Sequence, residues 1–484
     1  SVEDCFMKEK LKKFSQFTSD ILPHEADYLL LVHQLQDAEK ISVLQRIVYN
    51  CHHPSQPKPF DPVIDKRKYS HLMQWITQRL EGIDVDVHFA WINEMDRKVL
   101  TDQVTAKEER LLLRRFQEYE SPGYYFVKFF ELALNFRHFL LIRLRHEEHI
   151  LVHEFVEKWR PLYNRALEVN EKLHQATIDI INQYSMTNTE SRQWEKYLRK
   201  VFYDESLDGR NRYFAVVRLT FMYFNYREFD KLRGLYDYLD DCLRQGIFYS
   251  RRILLNYYSN CVLLHSKYDV LQRAEEYGHW AIKQKNADHL KYLNTYSAIL
   301  LRQGKIDQAL TVMKESFPEM RHTDDVHNKV GFASFYMKCL NLNGQPYDAE
   351  RFGSSFLDNY RSQILAQRWH VFFVAYLQSL VRQEKFDAIL RVVKKYNILE
   401  RDRAYENKVS YLPTVRWYFW LADYMEGGRS QEELSGDLQK SVLTHSENPH
   451  KMKLLSELLA ELKPIIPVAV RSIKSQSGKR LVTA

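Results

Sequence analysis

The residues best spaced for chemistry are His146, His149 and His153, interleaved with Glu147, Glu148 and Glu154. On a helix these positions place all three imidazoles along one stripe, and His149 with His153 at i,i+4 can chelate a divalent metal. A hydrolytic zinc site of the H-E-x-x-H kind needs Glu directly after the first histidine as its general base. Ile150 stands there, so that mechanism lacks its base. Three ligands on one helix also lack a fourth. The stripe reads first as the solvated face of a long helix, and no metal or other cofactor is expected.

Six residues before His149 stands Arg143. The pair Arg143-x5-His149 resembles the R-x(4–6)-H motif of HEPN-type helical-bundle ribonucleases. That resemblance implies RNA cleavage, with Arg143 and His149 acting on the 2′-OH and the scissile phosphate. Leu144 departs from the polar residue that usually follows the arginine in that family. The chain contains no GxGxxG, G-x4-GK[ST], GxSxG or C-x-x-C. His52-His53 lies in a proline-rich stretch and reads as an exposed pair.

The elements that carry these residues follow from composition. The 484 residues include only 14 Gly and 13 Pro, too few for a sheet with many hairpins or for glycine-rich phosphate loops. Long helices with short connections need neither. Hydrophobic residues make up 45% and charged residues 27%, as in a folded, water-soluble domain. The net charge of +7 is mild for this length and does not mark a dedicated duplex-binding protein. Five scattered cysteines (Cys5, Cys51, Cys242, Cys261, Cys339) read as reduced thiols in a cytoplasmic protein. No apolar run approaches the 18 residues of a membrane span, and the chain opens without a signal-like segment, so no membrane partner is expected.

Residues 1–186 read as a helical N-terminal region. It has two helices broken near Pro23, a linker at about 51–65 with four prolines, and a long helical hairpin over 123–186. The hairpin's first helix is expected to run from Tyr124 to Trp159 and to end at Pro161. From about 207 an apolar residue followed by Asp recurs as Phe229-Asp230, Tyr268-Asp269, Ile306-Asp307, Tyr347-Asp348 and Phe386-Asp387, at intervals of 38–41 residues. Each pair follows an apolar helix and a polar turn, and opens a second helix. In Tyr292–Glu315, small Ser297 and Ala309 stand where paired helices approach closely, with Gly304 in the turn. Here the sequence resembles the tetratricopeptide family over about 210–445. The expected architecture is all-α: an N-terminal bundle, then about six hairpins over 187–445 forming a tetratricopeptide-like superhelix. A capping helix at 446–466 and a basic, polar tail at 467–484 complete it.

The resemblance implies that the first helix of each hairpin lines a groove. It puts Asn256, Asn260, Lys291 and Asn294 there as solvent-facing side chains, with Phe214, Val217, Phe221, Phe224, Phe332, Phe335 and Val371 flanking them. Amides one turn apart can pair with an extended peptide, and Lys can hold a carboxylate. The expected function is therefore a non-enzymatic scaffold, adaptor or regulatory module that binds a peptide or protein partner. The alternative is a nucleic-acid-linked role, by RNA cleavage at 123–186 or by phosphate binding.

Overall fold

A computed structural model of the chain describes residues 11–185, 190–408, 410–446 and 449–476. Helix accounts for 79% of it, and there is no strand among the described residues. The chain forms two compact units, Ser1–Tyr268 and Asp269–Ala484. The division therefore falls inside the repeat region and not at residue 186.

The first unit holds α1 (Lys12–Ser19), α2 (Pro23–Val32), α3 (Ala38–His52), α4 (Lys66–Ile83), α5 (Val85–Leu100) and α6 (Ala106–Gln117). These are followed by α7 (Phe126–Ile142), α8 (His146–Ser185), α9 (Glu195–Tyr203), α10 (Gly209–Tyr226), α11 (Phe229–Arg244) and α12 (Arg251–Lys267). Pro23 opens α2 at its first position, where a missing N–H costs nothing. The proline-rich linker falls between α3 and α4. One core joins α1–α4 through Phe14, Leu29, Leu44, Ile47, Leu72 and Ile76. A second joins α5–α8 through Ile92, Leu112, Phe116, Phe129, Phe130, Phe136 and Phe155.

The long hairpin turns at a different place from the one expected. α8 runs for 40 residues straight through Pro161. An interior proline costs a helix ~3 kcal/mol in isolation, and packing on both sides of it offsets that here. Trp159 meets the Phe126 ring at 5.9 Å, and Tyr163 stacks on Phe130 at 4.3 Å. The chain reverses instead at 143–145, where Leu144 is left-handed at φ 57°. The amides of Leu144 and Arg145 return to the carbonyls of Leu141 and Leu140, at 3.1 and 3.0 Å, closing the end of α7.

The second unit continues with α13 (Leu271–Ala281), α14 (His289–Arg302), α15 (Ile306–Glu315), α16 (Phe317–His322), α17 (Val326–Leu342), α18 (Pro346–Gln363) and α19 (Trp369–Val381). It ends with α20 (Phe386–Lys395), α21 (Ile398–Tyr405), α22 (Thr414–Met425), α23 (Gln431–His445), α24 (Pro449–Leu462) and α25 (Pro467–Gln476). First helices pack on first helices: α14 on α17, α17 on α19, α19 on α22. The second helices α13, α15, α18 and α20 each pack on the first helix of the next hairpin. One continuous core runs from Leu290 to Ile473. Ser297 and Ala309 are fully buried in it.

Three departures from the sequence reading concern element ends. Tyr268-Asp269 does not open a helix: Asp269 is left-handed at φ 57°, and α13 starts at Leu271. Extra segments lengthen some of the hairpins. α16 and α21 follow the second helices of their hairpins, and α18 continues past a kink at Tyr360 into a wide turn at Ile364–Arg368. The expected tail is helical over Pro467–Gln476, where Ala469, Val470 and Ile473 are buried. Its remaining residues, like Cys5, lie outside the described residues.

Six connections between consecutive helices contain one left-handed residue each: Arg227, Asp269, Gly304, Gly344, Glu384 and Gly427. At five of them the next amide reaches back five residues to a carbonyl: 228 to 223, 305 to 300, 345 to 340, 385 to 380 and 428 to 423, at 2.8–3.0 Å. A second recurrence fits one hairpin to the next. A Cβ at Gly278 of α13 would lie 2.3 Å from the Tyr296 ring of α14, and one at Gly353 of α18 would lie 2.6 Å from the Tyr376 ring of α19. Both glycines follow the left-handed residue of their hairpin by nine positions, and both tyrosines precede theirs by eight.

The turns make a prediction with two signs. Nothing lies within 4 Å of a Cβ on Gly304, so Gly304→Ala pays only for its backbone and destabilises by about 1 kcal/mol. Glu384→Gly, relieving the same strain, stabilises by up to about 0.5–1 kcal/mol after the added entropy of the unfolded chain. Urea unfolding followed by circular dichroism reads both. A Glu384→Gly protein weaker than its parent would show that the left-handed turn is not what holds that corner. Gly278→Ala, which drives a methyl into Tyr296, costs more, about 1–3 kcal/mol.

Candidate functional site

The histidines and Arg143 occupy different elements. Arg143 caps the end of α7, the left-handed Leu144 follows, and His146, His149 and His153 lie on the first turns of α8. Arg143 and His149 therefore do not share a helix, and the spacing that resembled a ribonuclease motif spans a chain reversal. The Arg143 guanidinium sits 3.7 Å from the Phe139 ring, pairs with Asp102 at 2.8 Å and donates to the Phe139 carbonyl at 3.2 Å. The His149 and His153 rings lie nearly parallel, with centroids 5.8 Å apart. His153 Nδ1 lies 3.2 Å from Arg137 Nη1. Partial burial, then His153 and Arg137, hold His149 below its usual pKa. Among the described residues no three His, Cys, Asp or Glu side chains converge as a metal set.

The four groove residues separate as follows. In the first unit, Asn256 and Asn260 sit half-buried on α12, and Asn260 Nδ2 donates to Asn256 Oδ1 at 3.1 Å. Their amides thus bond one another along the helix. In the second unit Lys291 is exposed on α14, but Asn294 is only 7% exposed. The expectation that Asn294 faces solvent is corrected: its side chain points across α14 toward α17. Of the flanking aromatics, Phe332 is fully buried, whereas Phe221 is 43% exposed.

Around Asn294 the second unit gathers groups from three consecutive hairpins. A Cβ at Gly331 of α17 would lie 3.0 Å from Asn294 Nδ2 and 2.4 Å from Arg368 Nη1. The missing side chain thus lets an amide from α14 and a guanidinium from the turn before α19 approach the α17 backbone together. Arg368 Nη1 also donates to the His327 carbonyl at 3.2 Å. His327 is exposed one turn before Gly331. Its pKa is lowered by partial burial first, then by Arg368, with Lys291 adding to the effect and Asp325 opposing it. Asn294 Oδ1 is buried without a hydrogen-bond partner. Lys291, Asn294, His327 and Arg368 therefore form a donor-rich patch over a glycine, with one polar atom unused.

Two buried polar networks escape sequence reasoning, because their members lie far apart in the chain. In the first unit, fully buried Glu25 accepts from the Leu22 amide at 2.9 Å, Tyr249 Oη at 2.6 Å, and Arg251 Nε and Nη2 at 2.8 and 3.0 Å. Beside it His24 lies 2.6 Å from Asp240 and 2.8 Å from Tyr258 Oη. Burial pulls the His24 pKa down against the pull of Asp240. These contacts anchor α2 to α11 and α12. In the second unit, buried Asp402 accepts from Tyr411 Oη and Arg416 Nε, both at 2.8 Å. Arg416 also grips Glu406 through two bonds of 3.1 Å. Burial raises the Asp402 pKa. The only sequence signal for this network is the density of Tyr, Arg and Glu over 401–416.

His370 stacks on Tyr405, with centroids 4.9 Å apart, and burial pulls its pKa down to about 4. A histidine depressed in the folded state adds stability above its unfolded pKa of ~6.5, and that stability is lost as pH falls toward 4. The loss is on the order of 3 kcal/mol. His370→Phe keeps the stack and cannot take up a proton, so its unfolding free energy falls less steeply between pH 6.5 and 4 than the parent's. Equal slopes in the two proteins defeat this assignment. Compared with family models, curated proteins and solved structures, the chain finds no match.

Proposed function

We propose that this chain is a peptide- or protein-binding module built on tetratricopeptide-like hairpins, with the ligand lying across the first helices of the second unit. The observation that carries the reading is the unused amide of Asn294. A buried polar atom without a partner costs ~1–3 kcal/mol, and the large majority of such atoms in folded proteins are paired. An extended peptide supplies what is missing, since every non-proline residue offers an N–H and a C=O. The surrounding groups suit the same ligand. Gly331 lets the Asn294 amide and the Arg368 guanidinium reach the α17 backbone, and Lys291 and His327 add exposed donors on α14 and α17. The buried Glu25 carboxylate has both oxygens paired inside the fold and acts as an anchor.

The module works by presenting a preformed surface. Two neighbouring first helices and the turn before a third carry Lys291, His327 and Arg368, so little side-chain order is lost when a ligand settles.

Gly331→Ala tests the site directly. The methyl meets the far end of the Arg368 side chain, which can swing away, so melting is expected to stay within a degree or two of the parent. Affinity for peptides selected on the parent protein from a displayed random library is expected to fall at least about tenfold, ~1.4 kcal/mol. Full binding by a folded Gly331→Ala protein, measured by fluorescence anisotropy, places the ligand elsewhere.

A further inference from the structure

We infer that the first unit binds a single strand of nucleic acid along α10, with Arg210 and Arg218 holding phosphates and Phe221 stacking on a base. This site lies wholly in the first unit and does not depend on the peptide patch of the second.

One face of α10 alternates cations and rings. Arg210, Phe214, Arg218 and Phe221 follow one another at steps of four, four and three residues, which lines them up along one side of a helix. The side chains keep that order in space. Both guanidiniums lie 4.8 Å from the Phe214 ring centroid, so they flank a single half-buried ring. Arg218 donates to Thr177 Oγ1 of α8 at 2.9 Å and to the Phe214 carbonyl at 3.4 Å. Among the described residues neither Arg210 nor Arg218 is ion-paired. The nearby carboxylates are engaged elsewhere. Asp208, two residues before Arg210, is buried and accepts from the Asn211 amide and Nδ2 at 3.0 and 2.9 Å. Asp179 of α8 accepts from Trp194 Nε1 at 2.7 Å. Burial, then Arg210, hold the Arg218 guanidinium below its usual pKa. Two cations that disfavour each other therefore share one ring, and an anion from outside favours the charged form of both.

Phe221 stands differently. It is 43% exposed, and among the described residues its ring meets no other ring and no cation. That free face separates a nucleic acid strand from an acidic peptide. A single strand carries phosphates and bases in alternation, and sequence-tolerant sites meet it with cations for the backbone and aromatic faces for the bases. The arginine fork can grip two phosphate oxygens at once. A row of carboxylates answers the arginines alone and leaves the Phe221 ring in water. A duplex hides its base faces in its own stack, so it too can use only the arginines. The mild net charge of +7 suits a site of few phosphates.

The experiment uses the full chain and fluorescein-labelled ten-nucleotide strands of mixed sequence, RNA and DNA, with anisotropy read from 50 to 300 mM KCl. Single strands are expected to bind about tenfold more tightly than a duplex of the same sequence. Phe221→Leu keeps an apolar side chain but removes the ring, and is expected to weaken binding about fivefold or more. Phe221→Trp keeps the affinity of the parent. Arg210→Gln/Arg218→Gln lowers the slope of log affinity against log salt by about 1.4, two phosphates at about 0.7 each. Arg210→Gln alone leaves the Thr177 bond in place, so it melts like the parent while lowering the slope by about 0.7. Failure of both single strands to bind overturns the inference. Binding that Phe221→Leu and Arg210→Gln both leave unchanged overturns it too. Equal affinity for duplex and single strand removes the stacking, with the same result. A decapeptide of alternating Glu and Tyr that binds more tightly than either strand, and is lost in the same variants, assigns α10 to an acidic peptide instead.

Discussion

Everything in this fold hangs on a backbone conformation that amino acids other than glycine adopt reluctantly. Six of the connections between helices pass through one left-handed residue, and at five of them the amide after it bonds back to the preceding helix. The same device closes α5 at Asp102, α7 at Leu144 and α11 at Gly246. The left-handed conformation costs a side-chain-bearing residue roughly 1–2 kcal/mol. The chain accepts that cost at Asp102, Leu144, Arg227 and Glu384, because the bond satisfies a helix-end carbonyl and the turn brings two apolar faces together. A turn of only two to five residues also fixes how far one helix can slide along its partner. That constraint sets the register in which Tyr296 and Tyr376 find their glycines.

The glycine and tyrosine positions show how a degenerate repeat stays a repeat. At both contacts a missing side chain on one hairpin receives a ring from the next, and the summed volume, more than either identity, is what packing demands. Other junctions reach a fit with other pairs; Tyr236 and Cys261 stand at the same two positions with the large and small partners exchanged. Such exchanges erase a residue-by-residue consensus while preserving the contact. They explain why the aromatic–Asp recurrence stays visible when a consensus of small positions does not.

Helix content, the six hairpin turns and the proline-rich linker were legible because they rest on local signals: apolar periodicity, turn composition and a few prolines. Two errors had different causes. Pro161 was read as a break because proline normally ends a helix, while the true break at Leu144 carries no glycine or proline. Trp159 and Tyr163, clamped on α7, override the one signal, and the bonds to Leu140 and Leu141 supply what the other lacked. Asn294 was placed correctly on its helix and wrongly on its face. A residue or two of register decides whether a polar side chain looks at solvent or at α17, and repeats of uneven length do not fix it. Lys291, three residues earlier, was legible as exposed. His327 and Arg368 were not, since only the packing of α14, α17 and α19 brings them beside Lys291.

The contrast between the polar clusters separates architecture from recognition. Glu25 receives four donors from three directions and leaves no carboxylate oxygen unused. A buried charge so fully answered cannot accept a ligand without first breaking the fold. Removing one partner of such a pair typically costs 3–5 kcal/mol. The patch at Gly331 is built the other way. Its cations come from separate hairpins, two of its four side chains reach solvent, and its buried member is left with an unpaired atom. That unpaired amide oxygen is the atom that the proposed peptide ligand would complete.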